Sequence, residues 1–265
     1  MQTVTIAGTD DLSDEHRRMW DDIEVARAAV ELSVNSYGDI AEMKRVSNRA
    51  TSANCYIGER QGCQLVVYTG SNAFLDWVFN FLPIPVKYGK GWVHWGFALA
   101  HKSIWKRVRA HLDPSKPILF IGHSAGGALA DLSTDFVDEF PERGYVTFGK
   151  PNLRTKKDKD EYHSMAHLFI KLSVMNCGDV VPTIPRVLFG PHPEQDTLYR
   201  DWSGVSHFNS RREFRKADRA RFKYIKGHFI EYYAVWLHSL KDVKVWTHAL
   251  PTEAANDPIE LEKSA

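Results

Sequence analysis

Cysteine is scarce in this chain of 265 residues: only Cys55, Cys63 and Cys177 are present, an odd number with no metal-ligand spacing. That suggests neither a disulfide framework nor a zinc site, and fits reduced thiols in a cytoplasmic chain. An excess of one charge is missing too, since 34 basic residues against 33 acidic leave a net +1. Nothing in that balance points to nucleic acid or to a strongly charged partner. No stretch is apolar for long enough to span a bilayer. Residues 1–30 hold Asp10, Asp11, Asp14, Glu15, Asp21, Asp22 and Glu24 where a secretory leader needs an apolar centre. The expected location is therefore the cytoplasm, with any membrane contact peripheral, and secretion by a route other than such a leader stays open. Core-forming residues, by contrast, are plentiful: 43% hydrophobic and 12% aromatic residues can bury one large core. The chain reads as a single domain over 1–248 followed by a polar tail over 249–265.

The organising stretch is Lys116 to Gly127, an apolar run that ends in the pentapeptide Gly122-His123-Ser124-Ala125-Gly126. Residues 118–121 read as a buried strand, and Leu129, Leu132 and Phe136 then recur at helical spacing. Ser124 thus falls on a strand-to-helix turn, which makes it the candidate nucleophile. So tight a turn crowds the residues flanking the serine, and glycine at 122 and 126 removes the side chains that would clash. The G-x-S-x-G pattern alone arises by chance in about one chain in eleven of this length, so its placement carries the argument.

Residues 14–34 carry Met19, Trp20, Ile23, Ala26 and Val30 at helical spacing behind an acidic first turn, which predicts an amphipathic helix packed on the body. Residues 55–57 and 64–68 predict paired strands around a polar turn at 59–62, the second strand delivering Thr69-Gly70-Ser71. His94 precedes a helix whose Phe97, Ile104 or Trp105, Val108 and Leu112 share a face, and it reads as structural. Residues 144–148 form a short buried strand ending at Gly149, residues 154–161 a solvated mixed-charge loop, and residues 168–174 the next strand. Asp179 follows that strand's C-terminal end, the edge of an open α/β sheet where active sites collect. It is the candidate acid, in the order serine, acid, histidine. Asp131 and Asp135 lie on the elbow helix and point away from that edge. Among His192, His207, His228, His238 and His248, His228 opens a helix with an apolar face of Phe229 or Ile230, Tyr233, Trp236 or Leu237, and Leu240. It is the candidate base, with His207 its rival.

Six motifs in one order resemble the class 3, or fungal-type, triacylglycerol lipases of the α/β-hydrolase fold. They are Val66 to Ser71 with Asp76-Trp77, Val93 to Phe97, Gly122 to Gly127, Thr147-Phe148-Gly149 with Pro151, Asp179 to Pro182 with Pro185, and His228 with Tyr232. The resemblance implies a central, mostly parallel sheet flanked by helices, and a serine-dependent carboxylic ester hydrolase with lipase its leading activity. It further implies Ser124 as nucleophile, Asp179 as acid, His228 as base, and the Ser71 and Ala125 amides as the oxyanion hole. No metal or organic cofactor is required. A phospholipase A1, a feruloyl-type esterase, or a non-catalytic binding module on this fold stays open as an alternative. Two departures stand out: Tyr68-Thr69-Gly70-Ser71 where the family usually has Phe-Arg-Gly-Thr, and Pro151-Asn152 for the usual Pro-Arg. Both put local scaffolding ion pairs in doubt.

Two further stretches bear on partners. Residues 72–82 hold Phe74, Leu75, Trp77, Val78, Phe79, Phe81 and Leu82, leaving only Asp76 and Asn80 polar at i and i+4 after the Asn72 cap. A helix apolar on nearly every side needs cover, either as permanent core or as a lid whose Phe74, Trp77 and Phe81 close over Ser124. Residues 211–226 hold eight basic residues against two acidic, a local 8 − 2 = +6 just before His228. That reads either as a solvated basic face or as a contact for an anionic lipid surface.

Overall fold

The structure, a computed structural model, describes residues 14–70, 84–156, 170–176, 178–185, 188–190, 196–200, 206–208, 228–240 and 259–260, with only the backbone at 14–22, 196, 206–208 and 259–260. Helix α1 (Asp14–Asn35) leads to strands β1 (Lys44–Asn48), β2 (Ala53–Arg60) and β3 (Cys63–Tyr68). Strands β4 (Pro85–Tyr88) and β5 (Gly91–His94) precede α2 (Trp95–Arg109), β6 (Ile118–His123), α3 (Ala125–Ser133), β7 (Arg143–Phe148) and β8 (Arg154–Thr155). Then come β9 (Ile170–Asn176), β10 (Phe189–Gly190), β11 (Asp196–Arg200), β12 (Ser206–Phe208), α4 (Ile230–Ser239) and β13 (Ile259–Glu260).

Among the described residues, nine strands form one sheet in the order β1-β2-β3-β6-β7-β9-β11-β12-β13, and β10-β8-β5-β4 form a smaller one. The β3, β6, β7, β9 and β11 neighbours are parallel, while the outer pairs are antiparallel. This is the mostly parallel α/β sheet expected from the family resemblance. Within the stretch expected as a polar tail, Ile259 and Glu260 pair with Phe208 and His207.

The central strands are apolar without alternation because each face meets its own core. Val66, Tyr68, Phe120 and Tyr145 pack with Phe97, Ile104, Val108, Leu129 and Leu132 of α2 and α3. Their neighbours Val67, Leu119, Ile121, Val146 and Phe148 pack on the other side with Ile23, Ala26 and Val30 of α1 and Tyr233, Trp236 and Leu237 of α4. Each such side chain contributes roughly 1.5–3 kcal/mol by leaving water, so a strand buried on both sides holds its register firmly. That register pairs Tyr68 with Gly122, His123 with Phe148, and Phe148 with Val174. The C-terminal ends of four strands are therefore level, and the loops that follow them meet along one edge.

The expected solvated loop at 154–161 is corrected at its first residue. Arg154 is buried, because β8 pairs with β5 and β10 and carries it under the smaller sheet. There its guanidinium donates to Asp131 at 2.8 Å and to both oxygens of Asp135 at 3.0 Å, while Lys150 Nζ reaches Asp131 at 2.5 Å. The two carboxylates sit four residues apart, on one face of α3 and the helical turn after it. They face away from the sheet edge, as expected, but onto buried cations. Residues 157–161 lie outside the described residues. No helix among the described residues is long and apolar enough to cross a membrane.

Candidate active site

Ser124 sits between β6 and α3 with φ 56° and ψ −127°, a conformation an L-residue adopts only where its surroundings impose it. The surroundings are close backbone contacts. A Cβ on Gly122 would lie 2.3 Å from the Gly126 carbonyl, and one on Gly126 2.3 Å from the Tyr68 carbonyl oxygen, so both glycines are obligatory. The Ser124 amide donates to Phe148 O at 2.9 Å, fixing the elbow to the end of β7. Its hydroxyl makes no capping bond and stays available. Ala125 opens α3, whose first amides find no carbonyl within the helix and present a positive end beside the serine.

Asp179 follows β9 and His228 precedes α4, and the structure brings the two together. His228 Nδ1 donates to Asp179 Oδ2 at 2.8 Å, so the neutral ring carries its proton there and leaves Nε2 as an acceptor. Nε2 is buried and has no hydrogen-bond partner among the described residues. Asp179 is held firmly: Oδ1 accepts from the Val181 amide at 2.8 Å, and Oδ2 also accepts from the Tyr233 hydroxyl at 2.6 Å. Tyr233 in turn accepts from the Asn176 amide at 3.2 Å. Gly149, at φ 57°, lies so close that a Cβ there would stand 2.7 Å from Asp179 Oδ2 and 2.9 Å from His228 Nδ1. Sequence reasoning placed Tyr233 only on an apolar face and quoted Tyr232 for the family motif. Tyr232 is half exposed, whereas Tyr233 is buried and reaches the carboxylate. Helical periodicity registers a ring, not its hydroxyl.

The histidine inside the pentapeptide was likewise missed. His123 Nε2 lies 2.6 Å from the carbonyl oxygen of His228 and its Nδ1 2.5 Å from the Tyr37 hydroxyl. Burial, with His228 adding, pushes the His123 pKa well below the usual histidine range. A second serine–histidine contact, Ser133 Oγ to His101 Nε2 at 3.1 Å, is of another kind. Ser133 donates to Leu129 O at 2.8 Å, and the His101 ring stacks with Trp105 and Phe136. Burial pushes the His101 pKa down to about 3, and its Nδ1 meets the Tyr88 hydroxyl at 2.9 Å rather than a carboxylate. It is a sealed core network. His94 is structural as expected: buried, it caps α2 by accepting from the Gly96 amide at 3.2 Å.

Ser71, Phe74, Trp77 and Phe81, with the rest of 72–82, lie outside the described residues, as do 211–226, His192 and His248. His207 is described only as backbone of β12, and His238 pairs on the surface with Glu31. The turn entering Ser71 is firmly supported where the family's arginine is replaced: Thr69 Oγ1 donates to Ser36 O at 3.1 Å and accepts from Asn54 Nδ2 at 3.0 Å. No group of three metal-ligating side chains occurs among the described residues.

Comparison with known proteins agrees with this geometry. The family model of the class 3 lipases matches residues 65–189, which run from β3 through Ser124 and Asp179 to β10. No curated protein sequence matches. Among solved structures, the triacylglyceride lipase of Rhizomucor miehei superposes with a TM-score of 0.64 at 18% identity, covering 78% of this chain and 93% of its own. A triacylglycerol lipase from Penicillium expansum gives 0.63 at 19% identity, covering 78% and 92%. Lipase II from Rhizopus niveus gives 0.59 at 16% identity, covering 82% and 94%. At these identities the structural likeness establishes the fold, which is that of the α/β-hydrolase lipases.

Proposed function

We propose that this chain, whose residues 65–189 match the family model of the class 3 lipases, hydrolyses carboxylic esters of acylglycerols through Ser124, His228 and Asp179. The observation that carries the reading is the buried His228, fixed at Nδ1 by Asp179 with Nε2 unpartnered, on the sheet edge where the strained elbow holds Ser124.

The chemistry follows from what ester cleavage requires. A serine hydroxyl is a weak nucleophile at neutral pH until a base takes its proton, and Nε2 of His228 is the free acceptor. As Oγ bonds to the ester carbon, the proton passes to Nε2, and Asp179 Oδ2 stabilises the imidazolium that results. The carbonyl oxygen gains the negative charge. The Ala125 amide, at the positive end of α3, and the Ser71 amide bind it, with the Ser71 hydroxyl offering a third donor; each is worth on the order of 3 kcal/mol. His228 then gives its proton to the departing alcohol, leaving an acyl-serine. Water repeats the cycle, its proton going to His228 and its oxygen to the acyl carbon, so that carboxylic acid and free serine are regenerated.

The test combines a fluorophosphonate probe with a panel of triacylglycerol emulsion, phospholipid vesicles and a feruloyl ester. The expected result is labelling confined to Ser124 and turnover highest on the triacylglycerol. Ser124→Ala should lose activity with its fold intact, and Asp179→Asn and His228→Ala several orders of magnitude each, non-additively with it. Labelling elsewhere, or hydrolysis that survives Ser124→Ala, sinks the assignment; highest turnover on another member of the panel replaces the substrate class.

A further inference from the structure

We propose that Tyr37 and His123 are positioning residues which tie the end of α1 and the Thr69-Gly70 stretch to the backbone of His228, so that one chain of contacts sets the placement of the base. The inference rests on the hydrolase reading above.

Three observations meet at Tyr37, which lies just beyond α1. Its hydroxyl is 2.5 Å from His123 Nδ1, and His123 Nε2 is 2.6 Å from His228 O. A carbonyl only accepts, so Nε2 carries the proton; in a neutral ring Nδ1 is then the acceptor and Tyr37 the donor. The two hydrogen bonds therefore hold one another in a single tautomer, and losing the first frees the second to invert. On the other side, a Cβ on Gly70 would stand 2.1 Å from the Tyr37 hydroxyl and 3.0 Å from His123 O, so the turn rests directly on this pair. Finally, Ser36, the residue before Tyr37, accepts from Thr69 Oγ1, and Thr69 N bonds Asn54 O at 3.0 Å. The end of α1 thus braces the turn twice. Burial, with the Glu231 carboxylate adding, pushes the Tyr37 pKa up and keeps its hydroxyl protonated as a donor. The His123 and His228 rings, 4.6 Å apart between centroids, pass any rotation of one to the other. None of these groups touches the reacting atoms, so their effect comes entirely through the placement of His228.

Tyr37→Phe removes one hydroxyl and keeps the ring. On a soluble short-chain ester kcat should fall roughly tenfold, because misplacing a catalytic group by a fraction of an ångström costs about that much, while KM and the melting temperature stay close to wild type. In a His123→Gln background, where the side-chain amide reaches His228 O without help from Tyr37, the same change should cost less than about twofold. Proton NMR reads the geometry without turnover: the His228 Nδ1 proton, held by Asp179, should shift or broaden in Tyr37→Phe and recover in the double variant. Full kcat and an unmoved proton signal in Tyr37→Phe overturn the proposal, as does an undiminished tenfold loss in the His123→Gln background. Failure of the hydrolase reading would look different: wild-type protein that takes no fluorophosphonate at Ser124, with the NMR comparison still deciding whether Tyr37 sets the His228 geometry.

Discussion

Arg154→Met should destabilise this protein more than its position in a short surface-looking stretch suggests. Lys150 and Arg154 face Asp131 and Asp135, two cations against two anions, with side-chain exposures of 5%, 5%, 1% and 1%. Burial works against the Arg154 charge, yet Asp135 and Asp131 more than offset it and hold its pKa above the ordinary arginine value. The guanidinium is thus charged at any working pH. Replacing it with an apolar chain of similar length fills the space but, among the described residues of the cluster, leaves two carboxylates facing Lys150 alone. Breaking a buried network in this way costs about 3–5 kcal/mol. A domain's whole stability is about 5–15 kcal/mol. For a chain of this size the melting temperature should drop by roughly 6–20 °C. The diagnostic is a second substitution. Asp135→Asn added to Arg154→Met leaves Lys150 paired with one carboxylate, Asp131 at 2.5 Å, and an amide oxygen for the Lys90 amide that Asp135 now accepts at 3.0 Å. The double variant should therefore be more stable than Arg154→Met alone by at least about 1 kcal/mol, although Asp135→Asn by itself destabilises. Guanidinium unfolding followed by tryptophan fluorescence, with an unchanged m value, measures this. If the two losses simply add, or if Arg154→Met costs under about 1 kcal/mol, charge balance is not what holds the cluster.

Acid should unfold the protein earlier than its carboxylates require. Burial lowers the pKa of His94 to about 4 and of His101 to about 3, and that of His123 well below 6.5. Below pH 6.5 the unfolded chain binds protons at these three that the folded chain refuses, so stability falls from there down to the folded values, at up to about 1.4 kcal/mol per pH unit for each. Urea midpoints at pH 7, 6 and 5 test this; a flat profile refutes it, and His101→Asn should reduce the slope. For 72–82, we propose a lid that turns its apolar side towards lipid at an interface, so activity on a short-chain ester should rise sharply once substrate exceeds its solubility. Phe74→Ser with Phe81→Ser should flatten that rise without unfolding the chain, whereas hyperbolic kinetics through the solubility limit would assign the segment to the core.

Much of the site was legible because it is written in backbone demands that few residues meet. A strand, two glycines and a helix of small residues mark the elbow at Ser124 in the sequence, although the close contacts that require Gly126 and fix the serine come from Tyr68 and Phe148 on neighbouring strands. The triad order serine, acid, histidine and the sheet-edge position of Asp179 made Asp179 and His228 candidates, with His207 as rival, and the family resemblance then implied their roles. The β2 and β3 pair, the strands around 118–123 and 144–148, and the burial of Phe97, Ile104 and Val108 were likewise local properties of pattern. Tertiary structure decided what depends on two distant segments meeting. Arg154 looks solvated among its charged neighbours, and only the pairing of β8 with β5 and β10 carries it under the sheet to Asp131 and Asp135. The tyrosine at the acid is Tyr233 and not Tyr232, because the rotation of α4 on the sheet selects which hydroxyl reaches Asp179. Tyr37 and His123, 86 residues apart in sequence, meet through one hydrogen bond that exists only once α1 has packed beside β6. Periodicity records how much of a side chain leaves water; which polar atom it meets there is fixed by the partner that the fold brings.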